Sequence, residues 1–169
     1  IKYVYNSGSA GTYAPATMTY DSWDTISNPT RTGYKFKSWK IEGMNSSGVD
    51  HYYGTSTSSY DTTTSASISS TKVTKYKNLQ SATDAEVTFT ASWTPITYYV
   101  NYSYSSDLTA DKTDTETYDS WFTPTIPIRT GYTFASWEIT DMSSGYTHYY
   151  GTSSSSYQTT TGTSLTANT

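Results

Sequence analysis

The feature that most restricts the fold of this chain is a long internal repeat. The tetrapeptide YDSW at positions 20–23 returns at 118–121, which is 98 positions later. The hexapeptide HYYGTS at 51–56 returns at 148–153, which is 97 positions later. A period this long exceeds that of solenoid repeats, so each copy is expected to fold around a core of its own.

The repeat predicts two tandem homologous small modules, residues 1–95 and residues 96–169. We place the boundary at Pro95, because proline ends a strand and stiffens a short connection. The strand-like segment VTFTASW occurs once, at positions 87–93 of the first module. The second module is therefore expected to lack its closing strand.

Each module has to build its core from aromatic side chains. Hydrophobic residues make up only 34% of the sequence, yet aromatic residues reach 17%. A large ring buries much more area than an aliphatic side chain, so a few rings can fill a core. The chain has no cysteine, so packing rather than disulfide bonds must supply the stability.

Charge and hydropathy argue against two classes of partner. The net charge is −4 and no basic stripe is present, so nucleic acid is not expected to bind. No apolar run is long enough for a membrane span in this segment. Residues 1–95 hold seven Lys and one Arg against seven acids (+1), and residues 96–169 hold one Lys and one Arg against seven (−5). The two copies are therefore not expected to share an electrostatic binding site.

The pattern of apolar residues indicates strands. Apolar residues alternate with Thr and Ser over residues 87–94, which predicts a half-buried strand. Alternation after Tyr34 is broken, because Trp39 falls on the opposite parity from Phe36; either both faces are covered there or a bulge shifts the register. Residues 20–23 are expected to open a short helical turn, and the Ser/Thr-rich stretch 55–70 forms either an extended edge strand or an ordered loop. The predicted fold class is mainly β, with few or short helices.

Two motifs together resemble a known family. The segments PTRTGYKFKSW at 29–39 and VTFTASWTP at 87–95 resemble the Listeria–Bacteroides repeat, the B-repeat of internalin-type surface proteins. That family pairs a Pro-Thr-x-x-Gly-Tyr-x-Phe-x-x-Trp segment with a closing Val-Thr-x-x-Ala-x-Trp strand. The first copy matches both segments and the second copy only the first. This chain departs from the family by extra length around residues 50–80, and by Ser38 and Ser136 where glycine is common.

The resemblance implies a β-grasp-like module that is repeated in tandem on bacterial surface and secreted proteins. It also implies that the module has no catalytic activity. It implies an extracellular location at the bacterial cell surface, with neighbouring repeats of the same protein as partners. The aromatic residues of the motifs are then the predicted structural core: Tyr34, Phe36, Trp39, Phe89, Trp93, Tyr132, Phe134 and Trp137.

The sequence has few residues in patterns typical of catalytic or metal-binding sites. Each copy has one histidine, His51 or His148, whereas a metal site usually needs several clustered ligands. Among the carboxylates, only Asp21 and its counterpart Asp119 recur within the matched motifs, and an Asp beside Ser and Trp is explained by a turn or cap. The sequence therefore predicts no catalytic residues, no metal site and no cofactor, and we interpret the protein as not being an enzyme.

Paired tyrosines next to a glycine are the candidate ligand-binding residues. They are Tyr52 and Tyr53 in the first copy, and Tyr149 and Tyr150 in the second. Such rings are able to stack on a sugar, although packing in a core that is short of Leu and Ile is the simpler interpretation.

Three functions follow from these observations. The first is a structural spacer, or stalk, in a bacterial adhesin. The second is an adhesive module that binds a host glycan or host protein through exposed aromatic residues. The third is a subunit of an extracellular filament joined by strand exchange, because an open sheet edge accepts a strand from another chain.

Overall fold

The computed structural model describes residues 1–45, 48–70, 74–104 and 111–167, and the described part of the chain contains strands and no helix. Its fourteen strands form several sheets, which confirms the mainly β fold class, whereas the β-grasp arrangement stays a prediction. The chain divides into two compact units. Unit 1 comprises Ile1–Tyr98 and Thr117–Asp119, and unit 2 comprises Tyr99–Glu116 and Ser120–Thr169. The division at Pro95 into homologous modules also stays a prediction.

Unit 1 is built from two four-stranded sheets, ordered β1-β8-β3-β6 and β2-β7-β4-β5. The strands are β1 (Lys2–Val4), β2 (Asp24–Thr25), β3 (Tyr34–Glu42), β4 (His51–Ser56), β5 (Ser59–Thr63), β6 (Ser67–Ser70), β7 (Lys75–Lys77) and β8 (Thr88–Pro95). The Ser/Thr-rich stretch 55–70 supplies β5 and β6, each at the edge of its sheet, so the edge-strand alternative is confirmed there.

Strand β8 organises the first sheet, because β1 pairs with it in parallel and β3 pairs with it antiparallel. Phe89 and Ala91 are buried as the alternation predicted. The β3–β8 register shifts between Phe36 and Ser38, so the change of parity on β3 is a bulge. The extra residue lets Phe36 and Trp39 approach each other, with ring centroids 5.4 Å apart.

One core is shared by the two sheets of unit 1. Tyr76 of β7 meets Phe89 of β8 edge to face, with ring centroids 5.2 Å apart. Of the predicted core residues, Trp39 and Phe89 are fully buried, and Phe36 and Trp93 pack against them. The buried cluster consists of Ile26, Trp39, Ile41, Met44, Tyr76, Leu79, Val87, Phe89 and Ala91.

The other described strands form two-stranded sheets, and all but three of their residues (97, 98 and 117) belong to unit 2. The remaining strands are β9 (Thr97–Tyr102), β10 (Lys112–Thr117), β11 (Trp137–Ile139), β12 (His148–Ser153), β13 (Ser156–Thr160) and β14 (Leu165–Ala167), paired as β9–β10, β11–β14 and β12–β13. Trp137 packs against Tyr102 and Phe134, with ring centroids 5.6 Å and 5.1 Å apart. Tyr102 is buried, whereas Phe134 and Trp137 are half-buried.

Two expectations from the sequence are wrong. The short helical turn at 20–23 is absent; the backbone turns there through Asp21 at φ 64°. Tyr132 is not a core residue, because its side chain is 66% exposed. Its counterpart Tyr34 is half-buried at the start of β3, opposite Pro95 of β8. Tyr132 belongs to no described strand, and its ring centroid lies 3.9 Å from the guanidinium carbon of Arg129.

Candidate functional site

Three aromatic rings cluster on the face of the second sheet of unit 1 that points away from the core. Trp23 precedes β2, Tyr52 lies on β4 and Tyr60 on β5, and we call them the first triad. The ring centroid of Tyr60 is 5.3 Å from that of Trp23 and 5.6 Å from that of Tyr52, and Trp23 and Tyr52 are 6.2 Å apart. Their tilted and edge-to-face orientations are those that aromatic quadrupoles favour.

Strand alternation decides which tyrosine joins the triad. Tyr53 pairs with the buried Tyr76 of β7 and packs against the core. Its neighbour Tyr52 therefore points to the opposite face. Tyr60 lies directly across from Gly54, and a Cβ added to that glycine would overlap the backbone of β5. The glycine thus allows β5, with Tyr60, to approach β4 closely.

A polar cluster fixes the turn that positions Trp23. The Asp21 backbone N–H donates to Asn78 Oδ1 at 2.6 Å, and the Asn78 amide donates back to Asp21 Oδ1 at 3.2 Å. Lys77 Nζ lies 3.0 Å from the same carboxylate oxygen and 5.7 Å from the ring centroid of Tyr52. Hydrogen bonds from Lys77 and Asn78 hold the pKa of the Asp21 carboxyl below its usual value. The turn is thereby tied to the end of β7 beside the triad.

Unit 2 contains the counterparts of these three residues, which we call the second triad: Trp121, Tyr149 and Tyr157, with Tyr157 in ring contact with the other two. The ring centroid of Tyr157 is 5.8 Å from Trp121 and 5.6 Å from Tyr149. Tyr157 lies opposite Gly151 on the β12–β13 hairpin, as Tyr60 lies opposite Gly54. The three rings are 48%, 57% and 51% exposed, in the order named.

The structure therefore separates the tyrosine pairs that the sequence put forward for ligand stacking. Tyr52 and Tyr149 each join a triad. Tyr53 packs against the core, and Tyr150 is half-buried on the face opposite Tyr149. The other triad members were not among the predicted binding residues, although the sequence carries a signal for them: Trp23 and Tyr60 recur in the second copy as Trp121 and Tyr157.

The two histidines are placed differently. His51 is fully buried; its Nδ1 lies 2.5 Å from the carbonyl oxygen of Asn78 and its Nε2 lies 2.7 Å from that of Asn45. His148 is half-buried, with Nε2 2.8 Å from the carbonyl oxygen of Ser143. Both rings contact backbone. Among the described residues there is no group of three or more His, Cys, Asp or Glu able to hold a metal ion.

Unit 1 also has an open cleft of about 460 Å³. Its ionised lining side chains are Arg31 and Asp119, and its other lining residues include Ser7, Ser9 and Tyr34. The Arg31 guanidinium lies 3.7 Å from the ring centroid of Tyr34, whose hydroxyl donates to Asp119 at 2.6 Å. That hydrogen bond raises the pKa of Tyr34. The cleft can offer hydroxyl groups, one guanidinium and one carboxylate to a ligand.

In the parts of the chain that the structure describes, no helix has the length and apolar character needed to cross a membrane. Comparison with models of protein families, with curated proteins and with solved structures gave no match.

Proposed function

We propose that the chain is a non-catalytic pair of repeat modules from a bacterial extracellular or cell-wall surface protein, where it acts as a spacer that carries a more distal adhesive domain. The resemblance of residues 29–39 and 87–95 to the Listeria–Bacteroides repeat supports the extracellular location. The partners of such a module are the neighbouring repeats of the same protein.

The observation that carries the proposal is that the two copies repeat the same strand registers. His51 pairs with Thr63 on the β4–β5 hairpin, and His148 pairs with Thr160 on β12–β13. Both hairpins shift register at the same place, after Gly54 in one and after Gly151 in the other. Register is specified by side-chain pattern and turn geometry, so its recurrence supports duplication of a folded module.

A second pair of strands repeats in the same way. Ile41 of β3 pairs with Ile68 of β6, and Ile139 of β11 pairs with Leu165 of β14. The apolar cross-strand contact is kept in both copies although the surrounding surface residues differ. A module whose framework is repeated while its surface varies suits a spacer.

The ionisable groups nearest to the repeated motifs have structural partners. His51 contacts two backbone carbonyls, and Asp21 is held by Lys77 and Asn78. These contacts support a structural rather than a catalytic role for the recurring His and Asp.

The spacer role is tested by counting repeats on a cell surface. One, two and four copies of the chain are placed between a cell-wall anchor and an epitope tag on a Gram-positive bacterium. Super-resolution imaging should show that the height of the tag above the wall rises with each copy. A tag height that is independent of copy number, or retention of the tag inside the cell, would contradict the proposal.

Strand exchange is a second candidate function, and the pairing of β11 favours it. Strand β3 pairs with both β6 and β8, whereas β11 pairs with β14 alone within the described residues. The second edge of β11 suits a strand of the β8 type from a neighbouring repeat. Light scattering over a concentration series distinguishes the candidates: growth into chains supports exchange, and a constant monomer mass contradicts it.

A further inference from the structure

We propose that each triad is a binding platform for the face of a neutral hexopyranose ring, so that the chain carries two glycan-binding sites. The inference goes beyond the spacer role and does not depend on it. It assigns Trp23, Tyr52 and Tyr60 to one site, and Trp121, Tyr149 and Tyr157 to the other.

Four of the six triad residues are exposed. In unit 2 each ring of the second triad keeps about half of its surface in water, although large aromatic side chains are usually buried in a fold that needs core material. In unit 1, Tyr60 is likewise 47% exposed. Trp23 and Tyr52 are half-buried, so the first triad presents mainly Tyr60 to solvent, whereas the second triad presents all three of its residues.

Both triads carry polar groups beside their aromatic faces. The two tyrosines and the tryptophan of each triad carry two phenol hydroxyls and one indole N–H. No hydrogen bond joins these groups to another described residue. The threonines that pair with the β4 and β12 tyrosines, Thr62 and Thr159, are exposed beside them. A sugar ring has one face of C–H groups, which stacks on an aromatic ring, and an equator of hydroxyls, which needs donors and acceptors nearby.

The charged residues around the two triads differ. The rings recur in type and in spacing, whereas the residues around them differ in charge: Lys77 and Asp21 form an ion pair beside the first triad, and the two copies of the sequence carry +1 and −5. A ligand that binds both triads through their shared features must therefore be recognised without charge. A neutral glycan meets this condition, and an anionic polysaccharide does not.

The residues of the first triad are held in place by the sheet and by the turn before Trp23. The first triad stands on a sheet whose opposite face supplies the buried Tyr76, and the turn before Trp23 is tied to Asn78. Rings held in place before binding lose little conformational freedom when a ligand stacks on them.

The test is binding of the whole chain to cellohexaose, chitohexaose and mannohexaose by isothermal titration calorimetry. We expect saturable binding of at least one oligomer with a Kd of about 0.1–1 mM, and two sites per chain. Tyr60→Ala and Tyr157→Ala should each remove one site, and the double variant should remove both. Tyr60→Trp should restore the first site, because a larger ring still stacks.

Tyr99→Ala is the matched control, since Tyr99 is 75% exposed and belongs to neither triad; it should bind as the parent chain does. Circular dichroism melts show whether each variant keeps its fold. The proposal is overturned if none of the three oligomers binds at millimolar concentration, or if the folded double variant binds them unchanged. It is also overturned if the substitutions abolish self-association of the chain instead of glycan binding. None of these results bears on the tag-height measurement of the spacer role.

Discussion

At the scale of single residues, His51 joins two loops of unit 1 through its ring. Its nitrogens lie 2.5 Å and 2.7 Å from the carbonyl oxygens of Asn78 and Asn45. A carbonyl oxygen only accepts, so the imidazole donates an N–H to at least one of them. His51→Phe keeps an aromatic ring but removes both ring nitrogens, so the two carbonyl oxygens lose this partner. We expect the substitution to lower the free energy of unfolding of unit 1 by about 2–4 kcal/mol. Urea denaturation measures this loss.

The second copy provides the control for this substitution. His148 is half-buried and contacts one carbonyl oxygen, that of Ser143, and water can replace that contact. His148→Phe should therefore cost less than about 1 kcal/mol. Equal losses in the two variants would show that the buried contacts of His51 are not what stabilises unit 1.

Tyr3 should make unit 1 sensitive to alkali. Burial, reinforced by the nearby Tyr5 and Asp24, raises the pKa of Tyr3 above its ordinary value of 10.0, and its hydroxyl donates to the carbonyl of Pro15 at 2.9 Å. The folded state therefore binds this proton more tightly than the unfolded chain does. The stability from this group is complete below about pH 10 and falls as the pH rises above it.

Tyr3→Phe should reduce the slope of unfolding free energy against pH above about pH 10. The slope will not vanish, because burial also raises the pKa of Tyr5. Denaturation at a series of pH values measures it, with the exposed Tyr13 as the control site for a Tyr→Phe change. An unchanged alkaline slope in Tyr3→Phe would contradict the argument.

At the scale of elements, strands were predictable where their pattern is local. Alternation over residues 87–94 predicted β8. A bulge was one of the two interpretations of the broken alternation between Phe36 and Trp39, and the structure has that bulge. The Asp21 turn was mistaken for a helical one, because Asp serves both as a helix cap and in left-handed turns. The pairing with Asn78 that selects the turn lies 57 residues away and leaves no local signal.

The triads were likewise predictable only in part, because strand alternation is local in the sequence whereas strand pairing joins distant residues. Alternation alone puts Tyr52 and Tyr53 on opposite faces of a strand. Which of them points inward depends on the pairing of β4 with β7, which brings Tyr53 beside Tyr76. The sequence could therefore propose an aromatic site near residue 52, but it could not identify Trp23 and Tyr60 as its other members.

The hairpin β4–β5 should be sensitive to any side chain at its bulge. A Cβ at Gly54 would overlap the carbonyl oxygen of Ser59 and the Cα of Tyr60. Because these are backbone atoms, the strands must separate to admit it. We expect Gly54→Ala to lower the free energy of unfolding of unit 1 by about 1–3 kcal/mol, as measured in urea.

The neighbouring exposed Thr55 supplies the control, since Thr55→Ala should change stability by less than about 0.5 kcal/mol. Gly151→Ala should affect unit 2 in the same direction, because a Cβ there would overlap Ser156 and Tyr157. If Gly54→Ala proves as mild as Thr55→Ala, the close approach of β5 to β4 does not require glycine.

At the scale of the whole molecule, sequence similarity between the copies was a poor guide to burial. Trp39 and Trp137 occupy equivalent positions in the repeat, yet Trp39 is fully buried and Trp137 is half-buried. The difference arises outside the shared motif: β3 lies between β6 and β8, whereas β11 has β14 as its one described neighbour. Burial is therefore a property of the completed sheet, and the motif alone could not predict the exposure of Tyr132.

The difference in burial predicts that the two units unfold separately. Unit 1 has a buried cluster that includes Phe89, whereas Tyr102 is the buried hydrophobic residue that the structure describes in unit 2. Scanning calorimetry should therefore show two transitions, with that of unit 2 at the lower temperature. Phe89→Ala should lower the free energy of unfolding of unit 1 by about 3–5 kcal/mol and the temperature of the upper transition by about 10 °C or more. Tyr102→Ala should lower only the temperature of the lower transition. A single transition that both substitutions shift together would mean that the units fold as one cooperative body.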